Sequence, residues 1–208
     1  MRELRLSLLF FGSSLLLTVS GCQHTATYPA SLAGQKYYEA GFRAEEEGDL
    51  NLARQNFYQA YWSAQAAFLG PVAEAYSLYE WSRVTGYLGM YTEAESGFTN
   101  VLALIGGSGG KADKLRAPAL CELARLLHDT KQHSRAIPVF EAAIGELQNQ
   151  GAPQKDPLGF CDFLDDYADS LRAVGNRELA NSIVRRSAAI RADNKESLSR
   201  FKPRRYVK

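Results

Sequence analysis

The chain has 208 residues, with 24 Lys and Arg against 23 Asp and Glu, a formal charge of +1. That balance excludes a general nucleic-acid binder, which would be strongly basic. The length is ample for one domain, and no second domain is visible.

The first five residues, MRELR, are a short basic start, and Leu6 to Val19 is apolar with Gly12, Ser13 and Ser14 inside it. That run is shorter than the roughly 20 residues of a transmembrane helix. It fits a secretory signal peptide. It ends in Val19-Ser20-Gly21-Cys22, which resembles the bacterial lipobox. The resemblance implies a thiol at Cys22 that is alkylated by a diacylglyceryl group, with small residues before it to fit the peptidase. Residues 1–21 would be removed and Cys22 would become an acylated N-terminus. Two or three acyl chains anchor stably, where one binds only marginally. The next residue is Gln23 and not Asp, which in a Gram-negative bacterium implies sorting to the outer membrane, facing the periplasm. Cleavage removes Arg2, Arg5 and Glu3, so the formal charge falls to zero. Residues 22–33 then form a polar linker that tethers the folded part near the bilayer. His24, alone in that linker, reads as a solvent-facing residue and not as a ligand.

From 34 to 192 the apolar residues follow a helical period. Arg116 to Leu147 shows it best. Leu120, Leu123, Ala124 and Leu127 make one i, i+3, i+4, i+7 stripe. A polar run, His128–Arg135, breaks it, and Ala136, Ile137, Phe140, Ala143, Ile144 and Leu147 make a second. Two such helices joined by a polar turn predict an αα-hairpin. One hairpin cannot bury both apolar faces, so it needs neighbours of its own kind. They are present: Ala53 with Phe57, Ala94 with Phe98 and Ala180 with Val184 repeat the spacing of Ala136 with Phe140. Upstream, Leu78 with Trp81–Ser82, Leu120 with Leu123–Ala124 and Leu164 with Tyr167–Ala168 repeat a second pattern, and Tyr37 with Ala40–Gly41 is a weaker copy.

These patterns resemble the tetratricopeptide (TPR) repeat, W-x2-L-G-x2-Y followed by A-x3-F. The marker alanines lie 41, 42 and 44 residues apart, longer than the usual period of about 34, as in kinesin light chains. The resemblance implies an all-α, right-handed solenoid of about four hairpins over 34–192. Asp49 is the predicted N-cap of the second helix, and Gly70-Pro71 ends that helix and starts the next. Aromatic residues crowd the first two hairpins. Phe57, Trp81 and Phe98 are predicted core, while Tyr61 and Trp62 fit core or an exposed patch equally.

No catalytic motif is present. Ile105-GGSGG-Lys111 fails the phosphate-loop pattern, because Ile105 and Ala112 stand where Gly and Ser or Thr are required. There is no G-x-S-x-G and no H-E-x-x-H. Cys121, Cys161, His128 and His133 lack a close-spaced metal-ligand pair. No cofactor and no metal is expected. Cys121 and Cys161 leave two readings: a disulfide in an oxidising periplasm, or two small buried hydrophobes. Asp162, Asp165, Asp166 and Asp169 fall at i, i+3, i+4 and i+7, either a solvated acidic face or a contact surface.

In a TPR solenoid the first helix of each hairpin lines the concave side. Projection of those helices gives Tyr38, Phe42, Tyr76, Tyr79, Arg83, Arg125, Asp165 and Asp169 as candidate partner-binding residues. The arginines are expected to be exposed and to pair with a carboxylate of an extended partner segment, with the tyrosines as apolar anchors. The two-Lys, two-Asn clamp of chaperone-binding TPR proteins is absent. Residues 193–208 end in RFKPRRYVK, with five basic residues, two aromatics and a proline that bars a helix. This tail reads as a disordered end or as a basic element on anionic headgroups. Taken together, the resemblances imply a non-enzymatic, lipid-anchored interaction protein of the bacterial envelope. Its partner would be an envelope protein or peptide. Small TPR lipoproteins of that kind include pilus and secretion pilotins and adaptors for peptidoglycan hydrolases. The rival reading, an enzyme acting on the cell wall, lacks a nucleophile.

Overall fold

The computed structural model describes residues 32–108, 110–195 and 204–207. Cys22, the signal peptide and most of the linker lie outside the described residues. The described chain folds into α1 (Leu32–Glu46), α2 (Leu50–Ala66), α3 (Pro71–Tyr87), α4 (Tyr91–Gly106), α5 (Asp113–Asp129), α6 (His133–Asn149), α7 (Ala152–Lys155), α8 (Pro157–Ala173) and α9 (Arg177–Asp193). The hairpins are α1–α2, α3–α4, α5–α6 and α8–α9. They stack in chain order, with the short α7 in the last connection. Among the described residues there is no strand. No described helix is long and apolar enough to cross a membrane.

Local chemistry starts and stops these helices. The Asp49 carboxylate accepts from the Leu52 amide at 2.9 Å, Asp156 caps Gly159 at 3.0 Å, and Asn176 caps Leu179 at 3.3 Å. Pro71 and Pro157 open α3 and α8, where their missing N–H is not needed. Each hairpin turn ends its first helix with a left-handed residue. In three hairpins this is Gly48, Gly89 or Gly175; in the third it is Lys131, at φ 63°. The Lys131 turn still closes in the same way, with the Gln132 amide donating to the Leu127 carbonyl at 2.8 Å.

The repeat register agrees with the sequence. Ala53, Ala94, Ala136 and Ala180 are fully buried, as are Phe57, Phe98 and Phe140. The small residues Ser82, Ala124 and Ala168 are buried where the helices of one hairpin cross. Phe140 lies 4.9 Å from the Phe163 ring and 5.6 Å from the Tyr167 ring, so it joins the third hairpin to the fourth. Val184, the equivalent residue of α9, is only half-buried. Trp62 is exposed, with its ring 6.0 Å from Tyr58, while Tyr61 is half-buried. In the glycine-rich connection Ser108 is buried. Its hydroxyl donates to the Ile105 carbonyl at 2.7 Å and accepts from the Ala112 amide at 3.3 Å. Cys121 and Cys161 are both free and buried. Cys161 donates to the Ser187 carbonyl at 3.4 Å, which ties α8 to α9.

Candidate functional site: the concave face

The first helices of the hairpins, α1, α3, α5 and α8, supply the concave face. Its two ends differ. The N-terminal halves of these helices enclose an open cavity of about 510 Å³. Its walls include Tyr38, Tyr76, Tyr79, Cys121, Phe160 and Phe163. Glu122 and Arg125 supply charge at one side. The Arg125 guanidinium reaches Glu122 at 3.5 Å and lies 5.3 Å from the centre of the Phe163 ring. Burial pushes the Cys121 thiol up to about 12 and the Tyr79 phenol well above its ordinary value. Neither is a nucleophile near neutral pH.

The C-terminal halves of α3, α5 and α8 are filled by residues 204–207. Arg205 sends both terminal nitrogens to the Asp166 carboxylate, at 2.8 and 2.5 Å, and one of them to Asp129 at 3.3 Å. Hydrogen bonding to Asp166 holds its pKa above the usual value. The Tyr206 amide donates to Asp129 at 2.9 Å, its phenol donates to Glu122 at 2.6 Å, and its carbonyl accepts from the Tyr91 hydroxyl at 3.2 Å. Its ring stacks on Tyr87 at 5.0 Å. It also lies against Gly86, where an added Cβ would come within 2.4 Å of the ring. Tyr206 is 4% exposed. The Arg204 guanidinium lies 4.8 Å from the Tyr87 ring centre. The sequence suggested a disordered end or a lipid-headgroup contact for this tail. Its described part is instead bound into the protein's own groove.

The candidate residues do not all come together. Tyr38, Tyr76, Tyr79 and Arg125 line the cavity. Phe42 packs at 5.0 Å on both Tyr38 and Phe57, within the core of the first hairpin. The expectation of exposed arginines is overturned. Arg125 is 4% exposed, and Arg83 is held by Glu45 at 2.5 Å and by Glu80 at 2.8 Å. Burial opposes the Arg83 charge, but Glu80 and Glu45 outweigh it and keep its pKa well above the usual value. Nor do the four aspartates share one face. Asp162 and Asp165 both reach Arg191 of α9, at 2.7 and 2.8 Å. Asp169 pairs with Arg172 at 2.6 Å, and only Asp166 faces the tail. Each of the four carboxylates therefore has an arginine partner within the protein.

A second regularity lies in the same helices. Glu39, Glu80, Glu122 and Asp166 each stand 14 residues before a marker alanine. They form an acidic column down the concave face, and the last three are buried. Three residues further on stand Phe42, Arg83, Arg125 and Asp169. The Glu80–Arg83 and Glu122–Arg125 pairs are thus i, i+3 ion pairs at equivalent positions. This signal was present in the sequence and would have flagged both arginines as paired. The fourth hairpin has Asp169 where the others have Arg, and there Arg205 supplies the guanidinium. Among the described residues no cluster of His, Cys, Asp and Glu could hold a metal.

No family model matches the chain, and no curated protein matches it in sequence. Solved structures do resemble it. BtubC (BKLC) from P. vanneervenii superposes with a TM-score of 0.72 at 20% identity, over 88% of this chain and 72% of that one. A putative kinesin light chain from Podosopora anserina, with nearly identical TPR-like repeats, gives a TM-score of 0.61 at 20% identity, over 79% of this chain and 77% of that one. At this identity the likeness concerns the fold, a TPR-like helical solenoid.

Proposed function

We propose that the protein is a non-enzymatic adaptor of the bacterial envelope, held on the outer membrane by an acylated Cys22 and taking a protein partner through its concave face. The observation that carries the groove reading is the open, aromatic-walled cavity of about 510 Å³ between α1, α3, α5 and α8. It is concave and mostly apolar, with a buried ion pair at one side, the combination that accepts an anchoring side chain from a partner. The surface of Tyr76 and Tyr79 would desolvate against an apolar anchor of an extended segment. A photo-crosslinking side chain at Tyr76 is expected to give a discrete protein adduct in intact cells. The same group at exposed Leu52 on α2 is expected to give none. Adducts from Leu52 alone would move the binding face to the second helices.

The anchor rests on the lipobox-like Val19-Ser20-Gly21-Cys22 and on Gln23 behind it. Mass spectrometry of the mature protein is expected to find a diacylglyceryl-modified Cys22 at the N-terminus. Cys22→Ser should leave an uncleaved, unmodified precursor. An unmodified N-terminus on the wild-type chain would overturn the anchor and leave the groove reading standing.

A further inference from the structure

We infer that the acidic half of the concave face is a docking site for an extended protein segment in which an arginine precedes a tyrosine, and that residues 204–207 occupy it as a tethered competitor. This rests on the reading of the concave face as a recognition surface and adds the partner's chemistry. The seat reads backbone as well as side chains. One amide and one carbonyl of Tyr206 are hydrogen-bonded, by Asp129 of α5 and by Tyr91 of α4. Contact with main-chain groups of an extended segment, with pockets for successive side chains, is a general mode of peptide recognition. The arginine pocket has two buried carboxylates, Asp129 and Asp166, and the tyrosine pocket has Glu122 at its end and Tyr87 on its face.

The acidic column explains why the seat needs a visitor. Glu80 and Glu122 each have an arginine one turn along their own helix. Asp166 has none, because position 169 is Asp and is turned to Arg172. With Arg205 removed, Asp166 and Asp129 would be two buried carboxylates served by His128, whose Nε2 stands 4.0 Å from Asp166. Buried, unpartnered charge is strongly unfavourable. A seat meant only to fix the tail could have been apolar. This one demands a cation in a planar, bidentate pose, which selects arginine over lysine. The tail meets the demand through a tether of only eight residues, 196–203, between Lys195 and Arg204. A short tether raises the effective concentration of its end to the millimolar range, so a free segment must compete against it.

The test uses the mature chain and a labelled synthetic peptide, RFKPRRYVK, copied from residues 200–208. Arg205→Ala with Tyr206→Ala empties the seat. This double variant is expected to bind the peptide at least tenfold more tightly than wild type, read by fluorescence anisotropy. Adding Gly86→Ala puts a methyl group where the ring must lie, with the Ala94 Cβ of α4 as a second neighbour at 3.3 Å, and should abolish that binding while the melting temperature reports whether the α3–α4 packing holds. Equal binding by wild type and the double variant overturns the proposal, as does binding that survives Gly86→Ala. If the double variant fails to fold, the wild-type chain decides. Millimolar peptide should speed hydrogen exchange of the Tyr206 amide, whereas a peptide with alanines for its last arginine and its tyrosine should not. Unchanged exchange overturns the proposal. A concentration-dependent dimer that disappears in Tyr206→Ala would also overturn it, because the seat would then belong to a second copy. None of these results bears on the Tyr76 adduct, so the two readings fail separately.

Discussion

The two halves of the concave face are built from the same helices, α3, α5 and α8, and they have met different fates. At the N-terminal ends the walls are tyrosine, phenylalanine and cysteine around an open cavity. At the C-terminal ends the walls are Glu122, Asp129 and Asp166, and the space is filled by Arg205 and Tyr206. Two effects point the same way. The C-terminal end of a helix carries partial negative charge and favours a cation, and the carboxylates add to it. In a solenoid, equivalent positions project in one direction, so a single substitution between repeats leaves a gap in a column of paired charges. Here Asp169, standing where Arg83 and Arg125 stand in the earlier hairpins, makes that gap. The open half depends on shape and apolar surface. The filled half depends on charge, and charge left unpaired in a buried place recruits the nearest cation.

The sharpest way to break this comparison is at the residue the halves share. Arg125→Glu would set a second carboxylate against Glu122, which lines the cavity and also receives the Tyr206 phenol. It should cost about 3–5 kcal/mol in chemical denaturation, because it strands a buried charge. A loss below about 0.5 kcal/mol would mean that Arg125 faces solvent. Phe140→Ala lies behind both halves, packed on Phe163 and Tyr167. It should cost about 3–5 kcal/mol at the buried extreme, loosening the third and fourth hairpins first by hydrogen exchange. Asp166→Asn should act on the filled half alone. Losing a charged, bidentate partner for Arg205 is expected to cost about 1.5–3 kcal/mol. Protection of the Tyr206 amide should fall with it, while the cavity keeps its lining.

Alkaline pH tests whether both halves are as dry as they look. Burial raises the phenols of Tyr38 and Tyr79 in the open half, and of Tyr87 and Tyr206 in the filled half, above their ordinary value. The native chain therefore keeps protons that the unfolded chain releases near pH 10. This contribution is complete below about pH 10 and is lost as the pH rises through and beyond it. Melting followed between pH 8 and 11 should show that decline, and a flat profile would mean hydrated phenols. The smallest effect serves as a control outside the comparison. Lys131→Gly relieves a left-handed lysine in the α5–α6 turn, where the other hairpins have glycine. It should raise stability by about 0.5–1 kcal/mol without changing peptide binding in either half.

Much of the fold was legible because helix packing writes a periodic code. The alanine–aromatic spacing placed Phe57, Phe98 and Phe140, and a close helix crossing needs small residues such as Ser82 and Ala124. The candidate site was legible where it followed the same code, as in Tyr38, Tyr76 and Tyr79. Arg83 and Arg125 were placed on the correct helices with the wrong surroundings. Repeat equivalence says that two side chains point the same way, not whether they meet water. The glutamates one turn earlier carried that information. The tail could not be read at all from periodicity. Arg205 and Tyr206 are held by groups on four different helices, far away in sequence, and no local pattern encodes such a seat.

The docked tail also changes how the stack should come apart. Tyr206 touches α3, α4 and α5, and Arg205 spans α5 and α8. A simple solenoid unzips from its ends, each hairpin detaching from the one before it. Here a single four-residue strap is clamped to three consecutive hairpins, like a tie bar laid across the steps of a folding ladder. Under a stretching force the last hairpin would not peel away by itself. The strap must first let go of Asp166, which frees the fourth hairpin, while Tyr206 still braces the second hairpin against the third.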